Sequence, residues 1–126
     1  MQGKPKLFGV TVHTPDVDAA AVFYRDVIGL PLEGERHGEG PQHYHAGWGF
    51  PDDGLMFTLW PGDPVPQHLA FLVDDLDSVH ERAVAHGVEV LQTPGRHDTA
   101  SPPGWRDCTL RDPVGNAVHV WQGAAS

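Results

Sequence analysis

The sequence predicts an α+β fold of two βαβββ modules, and three observations point to it. Residues 9–18 recur in pattern at residues 68–77, each copy a strand-like run followed by an acidic helix start. Residues 55–60 are echoed by residues 116–121, again ending on tryptophan, Trp60 and Trp121. The helical stretch of each copy closes on a glycine, Gly29 or Gly87, the residue that most readily takes the left-handed conformation ending a helix. The offset of about 59 to 61 residues is long for a solenoid and suits two fused half-domains. A half-domain that cannot bury its own face must pack on its twin, and the cleft between twins is a natural binding site.

Each element follows from local pattern. Residues 7–13 alternate, with Phe8, Val10 and Val12 on one face and Gly9, Thr11 and His13 on the other, the period of a half-buried strand. Asp16 is placed to cap a helix in which Ala20, Phe23, Tyr24 and Val27 recur at helical spacing. Residues 30–33 read as a short second strand and the Gly-rich residues 34–41 as a loop. Residues 42–48 alternate as a third strand, with His43 and His45 on one face and Tyr44 on the other. A turn at residues 51–54 leads into a fourth strand at 55–60. Module one therefore spans 7–60, a Pro-rich linker 61–66, and module two 67–122. In module two the expected elements are a strand at 68–73, a helix from Asp75 to about His86 and a strand at 88–91. Residues 93–104 form a long Pro/Gly/Ser/Thr-rich loop of the kind that often covers a site. A closing hairpin at 105–110 and 116–122 turns through Asp112-Pro113-Val114-Gly115.

Composition narrows the classes of function. The 126 residues allow one domain, and 8 Lys+Arg against 17 Asp+Glu give a net charge of −9. That balance argues against a nucleic-acid or anionic-membrane partner, since either needs a basic patch. No apolar run approaches a membrane span, and no signal-peptide core follows Met1. The lone Cys108 fits a reducing compartment, so the expectation is a cytoplasmic protein. Nine histidines in so short a chain carry most of the functional reading.

The run Phe23-Tyr24-Arg25-Asp26-Val27-Ile28-Gly29-Leu30, the run His68-Leu69-Ala70-Phe71-Leu72-Val73-Asp74-Asp75-Leu76 and the turn Arg111-Asp112-Pro113-Val114-Gly115-Asn116 carry a family resemblance. The chain resembles the vicinal oxygen chelate superfamily: glyoxalase I, the bleomycin- and fosfomycin-resistance proteins, methylmalonyl-CoA epimerase and the extradiol dioxygenases. The resemblance spans almost the whole chain and implies a pair of βαβββ half-barrels, commonly in a homodimer. It also implies a divalent metal held from the first and fourth strands of each module. Those positions are Gly9 and Thr58 in module one, His68 and His119 in module two. Glycine offers no donor and a threonine hydroxyl is a poor one. The two imidazoles are competent, although glutamate is the family's commoner choice where His119 stands.

Alternation supports the His68–His119 placement independently, because it sets both opposite the apolar, helix-packing faces of their strands. Imidazoles favour a transition metal (Zn, Ni, Mn or Fe among the candidates) over magnesium or calcium, but two are fewer than a catalytic metal uses. His13 shares the face of Gly9 about 13 Å along the strand and is a candidate base. His43, His45, Met56, Thr58, Trp60, Trp105, Arg106 and Trp121 are candidate substrate contacts; a solvated strand face for the histidines, barrel core for the aromatics and a surface ion pair for Arg106 are the alternatives. His37, His80, His86 and His97 are expected on the surface.

Two functions remain open. One is a metal-assisted enzyme on a small oxygen-rich substrate, with His68 and His119 as ligands and His13 or a cavity histidine as base. The other is a metal-free protein that sequesters a planar antibiotic or metabolite between the tryptophans. Fold alone does not choose between them.

Overall fold

The computed structural model describes residues 9–46 and 55–125; Leu7, Phe8, Trp48 and the turn expected at 51–54 lie outside the described residues. The first module comprises β1 (Gly9–Thr14), α1 (Val17–Ala21, prolonged by π-helical turns over Val22–Ile28), β2 (Glu33–Glu35), β3 (His43–Ala46) and β4 (Met56–Pro61). The second comprises β5 (His68–Leu72), α2 (Leu76–Ala85), β6 (Val90–Gly95), β7 (Arg106–Arg111) and β8 (Ala117–Gln122). Each forms a four-stranded mixed sheet, ordered β1-β4-β3-β2 and β5-β8-β7-β6. In both, the first and last strands pair parallel and the others antiparallel. The α+β architecture of two βαβββ modules is the one the repeat predicts.

The same chemistry starts both helices. Asp16 and Asp75 sit in extended backbone and each accepts a hydrogen bond from the backbone N–H three residues on, at 3.1 Å, satisfying a donor the helix cannot. Gly29 takes φ 99° after the last turn of α1. Leu76, Val79 and Ala83 of α2 join Phe23, Tyr24, Val27, Leu59, Leu110, Val118 and Val120 in one apolar cluster. The helices therefore cover the outer faces of both sheets and leave the opposite, inner faces to other chemistry.

Two strands differ from expectation. The second strand starts at Glu33 and not Leu30: Pro31 has no N–H to donate, and Leu32 turns back to bond the Leu30 carbonyl at 2.8 Å. Pairing with β3 begins only at Glu33↔His45 and runs through Glu35↔His43, so Glu35 belongs to a strand. In module two, β6 extends to Gly95, with register shifts along its pairing to β7. Such irregularity lets an edge strand carry Pro94. The loop that follows is tied down by Arg96, whose guanidinium donates to the carbonyls of Thr99, Ser101 and Pro102.

Candidate functional site

The inner face of the first sheet is set by cross-strand register. Gly9↔Met56, Thr11↔Thr58 and His13↔Trp60 align β1 with β4, while His45↔Thr58 aligns β3 with β4. Paired residues point the same way, so His13, Met56, Thr58, Trp60, His43 and His45 share one face. His43, His45, Met56, Thr58 and Trp60, all expected contacts, line a cavity of about 220 Å³ together with Glu35 and His37. His13 shares the face but is not among the residues lining the cavity. The His43 ring lies 4.6 Å from that of Trp60, one wall of the hollow. Larger hollows of about 300 and 370 Å³ lie on the outer side, against the helices, and bring no cluster of imidazoles together.

Glu35 is the polar hub of this face. His45 Nε2 bonds its Oε2 directly, His37 Nε2 stands 3.4 Å from Oε1, and His43 Nε2 stands 3.8 Å from Oε2. Ligating atoms of Glu35, His37 and His43 all lie within 4.8 Å of one another. Glu35 and His37 are the residues that sequence reading missed. His37 is exposed, as expected of a surface histidine, yet it faces this group. A signal was available: Glu33 and Glu35 alternate just as His43 and His45 do, the pattern of two strands of one hairpin.

The inner face of the second sheet carries a different arrangement. His119 Nε2 bonds Asp107 Oδ2 at 2.6 Å, and Asp107 is only 2% exposed. Its other oxygen accepts from the His97 backbone N–H. The His119 ring packs 4.4 Å from Trp121 and 6.2 Å from His68, and Trp105 stands 6.3 Å from Trp121. His68, Trp105, His119 and Trp121 thus lie together, with His119 bonded to a buried carboxylate, Asp107, that sequence reading missed. Arg106 is not with them. It shares the outer face of β7 with Cys108 and Leu110 and forms an ion pair with Asp77 of α2 at 3.1 Å, the alternative weighed for it. Cys108 is sealed on that same face, and burial pushes its thiol up to about 11, with the Asp107 charge adding to the effect.

Of the four first- and fourth-strand positions, His68 and His119 bring imidazoles, while Gly9 and Thr58 bring no strong donor. A Cβ at Gly9 would meet the Met56 carbonyl at 3.3 Å, Thr58 offers a neutral hydroxyl, and one nitrogen of His119 is engaged by Asp107. Two imidazoles fall short of the three protein ligands of a catalytic site.

The repeated sheets and the inner-face cavity define a class. The profile of the Glyoxalase/Bleomycin resistance protein/Dioxygenase superfamily matches residues 6–120, and the chain belongs to that superfamily. It is 30% identical to an uncharacterized protein of Pseudomonas aeruginosa, over 94% of this chain and 89% of that protein. Among solved structures it is similar to lactoylglutathione lyase from Agrobacterium tumefaciens, with TM-score 0.65 and 26% identity over 97% of this chain and 96% of the other. It also shares its fold with TnmS3, an antibiotic binding protein from Streptomyces sp. CB03234, with TM-score 0.69 and 22% identity over 98% and 100% of the two chains. Lyases and binding proteins therefore both stand among its structural neighbours.

Proposed function

We propose that the chain is a small-molecule-binding member of the superfamily, holding a planar ligand with polar edges against the Trp60–His43 wall of the first sheet. The observation that carries this reading is the cavity of about 220 Å³ with Met56 and Trp60 as apolar lining and Thr58, His43 and His45 as polar contacts. A few placed polar groups in an otherwise apolar hollow is the usual make-up of a ligand site. The antibiotic-binding function of TnmS3 supports the reading. Titration of tryptophan fluorescence with a panel of aromatic antibiotics and metabolites, in the presence of chelator, tests it. A saturable ligand whose affinity drops at least ~10-fold (about 1.4 kcal/mol) in Trp60→Ala is expected. Binding that ignores this substitution sinks the proposal.

A second reading makes the second sheet catalytic, and the His119–Asp107 pair favours it. A buried carboxylate that fixes one ring nitrogen leaves the other oriented for proton transfer or for a metal shared with His68; such a metal needs further donors from beyond this pair. Under this reading the Agrobacterium lyase is the better guide, and His13 is the candidate base of the first sheet. Pairing of two copies belongs to either proposal, since His68, Ala70 and Leu72 on the inner face of β5 are exposed, Leu72 at 68%. A cytoplasmic location also belongs to both, because a buried, unpaired Cys108 suits it.

A further inference from the structure

We propose that the β2–β3 hairpin is a binding site for a late first-row divalent metal ion, held by Glu35, His37 and His43, with His45 bonded to the Glu35 carboxylate. This place differs from the first- and fourth-strand positions. Glu35 and His43 are direct cross-strand partners, and Glu33 pairs His45 two residues along. That register brings carboxylate and imidazoles to the same face without any loop rearrangement. His37 comes from the connecting loop, where its carbonyl accepts from the Gly40 N–H at 2.8 Å and Gly38 adopts φ 56°. A Cβ at Gly40 would stand 2.9 Å from that carbonyl, so the tight turn that presents His37 requires glycine there.

The geometry needs little adjustment to accept an ion. Zinc bonds of ~2.0–2.1 Å in a tetrahedron set neighbouring donor atoms about 3.3–3.4 Å apart. His37 Nε2 and Glu35 Oε1 are 3.4 Å apart, and His43 Nε2 and Glu35 Oε2 are 3.8 Å apart. His43 Nδ1 lies 3.2 Å from the Pro41 carbonyl. A carbonyl only accepts, so Nδ1 donates to it and Nε2 is the nitrogen turned toward the Glu35 carboxylate. His43 is 4% exposed, and its Nε2 and the Glu35 Oε2 stand far enough apart, at 3.8 Å, for an ion to bind both. A backbone carbonyl that orients an imidazole in this way is the usual outer support of a ligating histidine. Imidazoles with one carboxylate select zinc, cobalt, nickel, copper or iron over magnesium or calcium. Glu35 and His37 reach solvent, giving the ion a path in, while His43 and His45 line the cavity. The inference deepens the binding reading, because an ion here would form part of the ligand's wall; metal uptake itself is measured without ligand, so the two fail separately.

The test is titration of the metal-free full chain with Co²⁺, followed by its visible absorption, and with Zn²⁺ by calorimetry. One ion per chain is expected, with affinity reduced at least tenfold in His37→Ala and in Glu35→Gln and little changed in His119→Gln. His37 is exposed, so its removal leaves folding intact, which a thermal melt checks; His43→Gln is a further variant whose folding is verified the same way. Absence of saturable uptake overturns the site. So does uptake lost in His119→Gln but kept in both hairpin variants. Fluorescence titration with aromatic ligands in chelator then reports on the cavity alone, whichever way the metal experiment falls.

Discussion

The two sheets share a frame and differ in what they put on its inner face. Trp60 and Trp121 occupy matching places on the last strand of each sheet. The ring against Trp60 is that of His43, and the residue opposite Trp121 is Asp107. One step along, His45 faces Thr58, whereas Thr109 faces His119. On the edge strand, Glu35 pairs His43, whereas Gly95 pairs Asp107. Imidazole and carboxylate are thus present in both halves but on different strands. In the first sheet an edge carboxylate gathers imidazoles; in the second a buried carboxylate locks a single one. Outer-face positions keep their apolar character in both, with Leu59 and Val120 each fully buried. The duplicated frame needs only apolar residues toward the helices, and the inner face is free to carry different chemistry in each half.

The comparison breaks most readily at the joint between the halves. Asp112, in the β7–β8 turn, accepts from the buried Tyr24 hydroxyl at 2.6 Å, from the Val114 and Asn116 backbone N–H groups and from the Asn116 side chain. Burial, then the bond to Asp112, raises the Tyr24 phenol well above its ordinary value, so it remains a donor. Asp112→Ala leaves several buried donors without partners and is expected to lose about 3–4 kcal/mol, in a single lowered transition. Chemical denaturation followed by circular dichroism measures it. A loss below about 1 kcal/mol, or a melt that splits in two, would show halves that fold independently.

A smaller effect sharpens the contrast between the outer faces. Cys108 on β7 and Tyr44 on β3 hold matching positions, but Cys108 is fully buried while Tyr44 is half-buried and bonds Asp18. With the Cys108 thiol raised to about 11, the folded state keeps a proton that the unfolded state gives up near pH 9. Stability is then complete below about pH 9 and falls by roughly 2–3 kcal/mol as pH rises to 11. Denaturation curves across that window, compared with Cys108→Ala, isolate the contribution; identical slopes in the two proteins would mean the thiol is not sealed.

The outer faces were legible because their signals are local. Asp16 and Asp75 announce their helices within three residues, and Val118 and Val120 alternate with His119 in plain view. Period-two alternation also gathered His43, His45, Met56, Thr58 and Trp60 around one cavity. What escaped depends on pairing between strands. Leu30 and Leu32 look like a strand until Pro31 is considered, and placing the strand there hid Glu35 in a supposed loop. Asp107 lies between Arg106 and Cys108, and only the register with Trp121 shows that it faces His119. Pairing partners are distant in sequence, and no single segment encodes them.

The least disruptive substitution tests the division between inner and outer chemistry. Arg106 is the cation nearest the second sheet's aromatic cluster in sequence, and a carboxylate-bearing ligand would favour such a group. The structure instead commits it to Asp77 across the helix-packing side. Exposed ion pairs of this kind contribute under ~1 kcal/mol, so Arg106→Gln should barely move the denaturation midpoint. Ligand affinity, read by tryptophan quenching, should stay within about twofold of the parent (~0.4 kcal/mol), in contrast to the loss expected in Trp60→Ala. An anionic ligand that loses tenfold in Arg106→Gln would mean that the outer side of β7 reaches the bound molecule. The assignment of ligand chemistry to the inner faces alone would then fail.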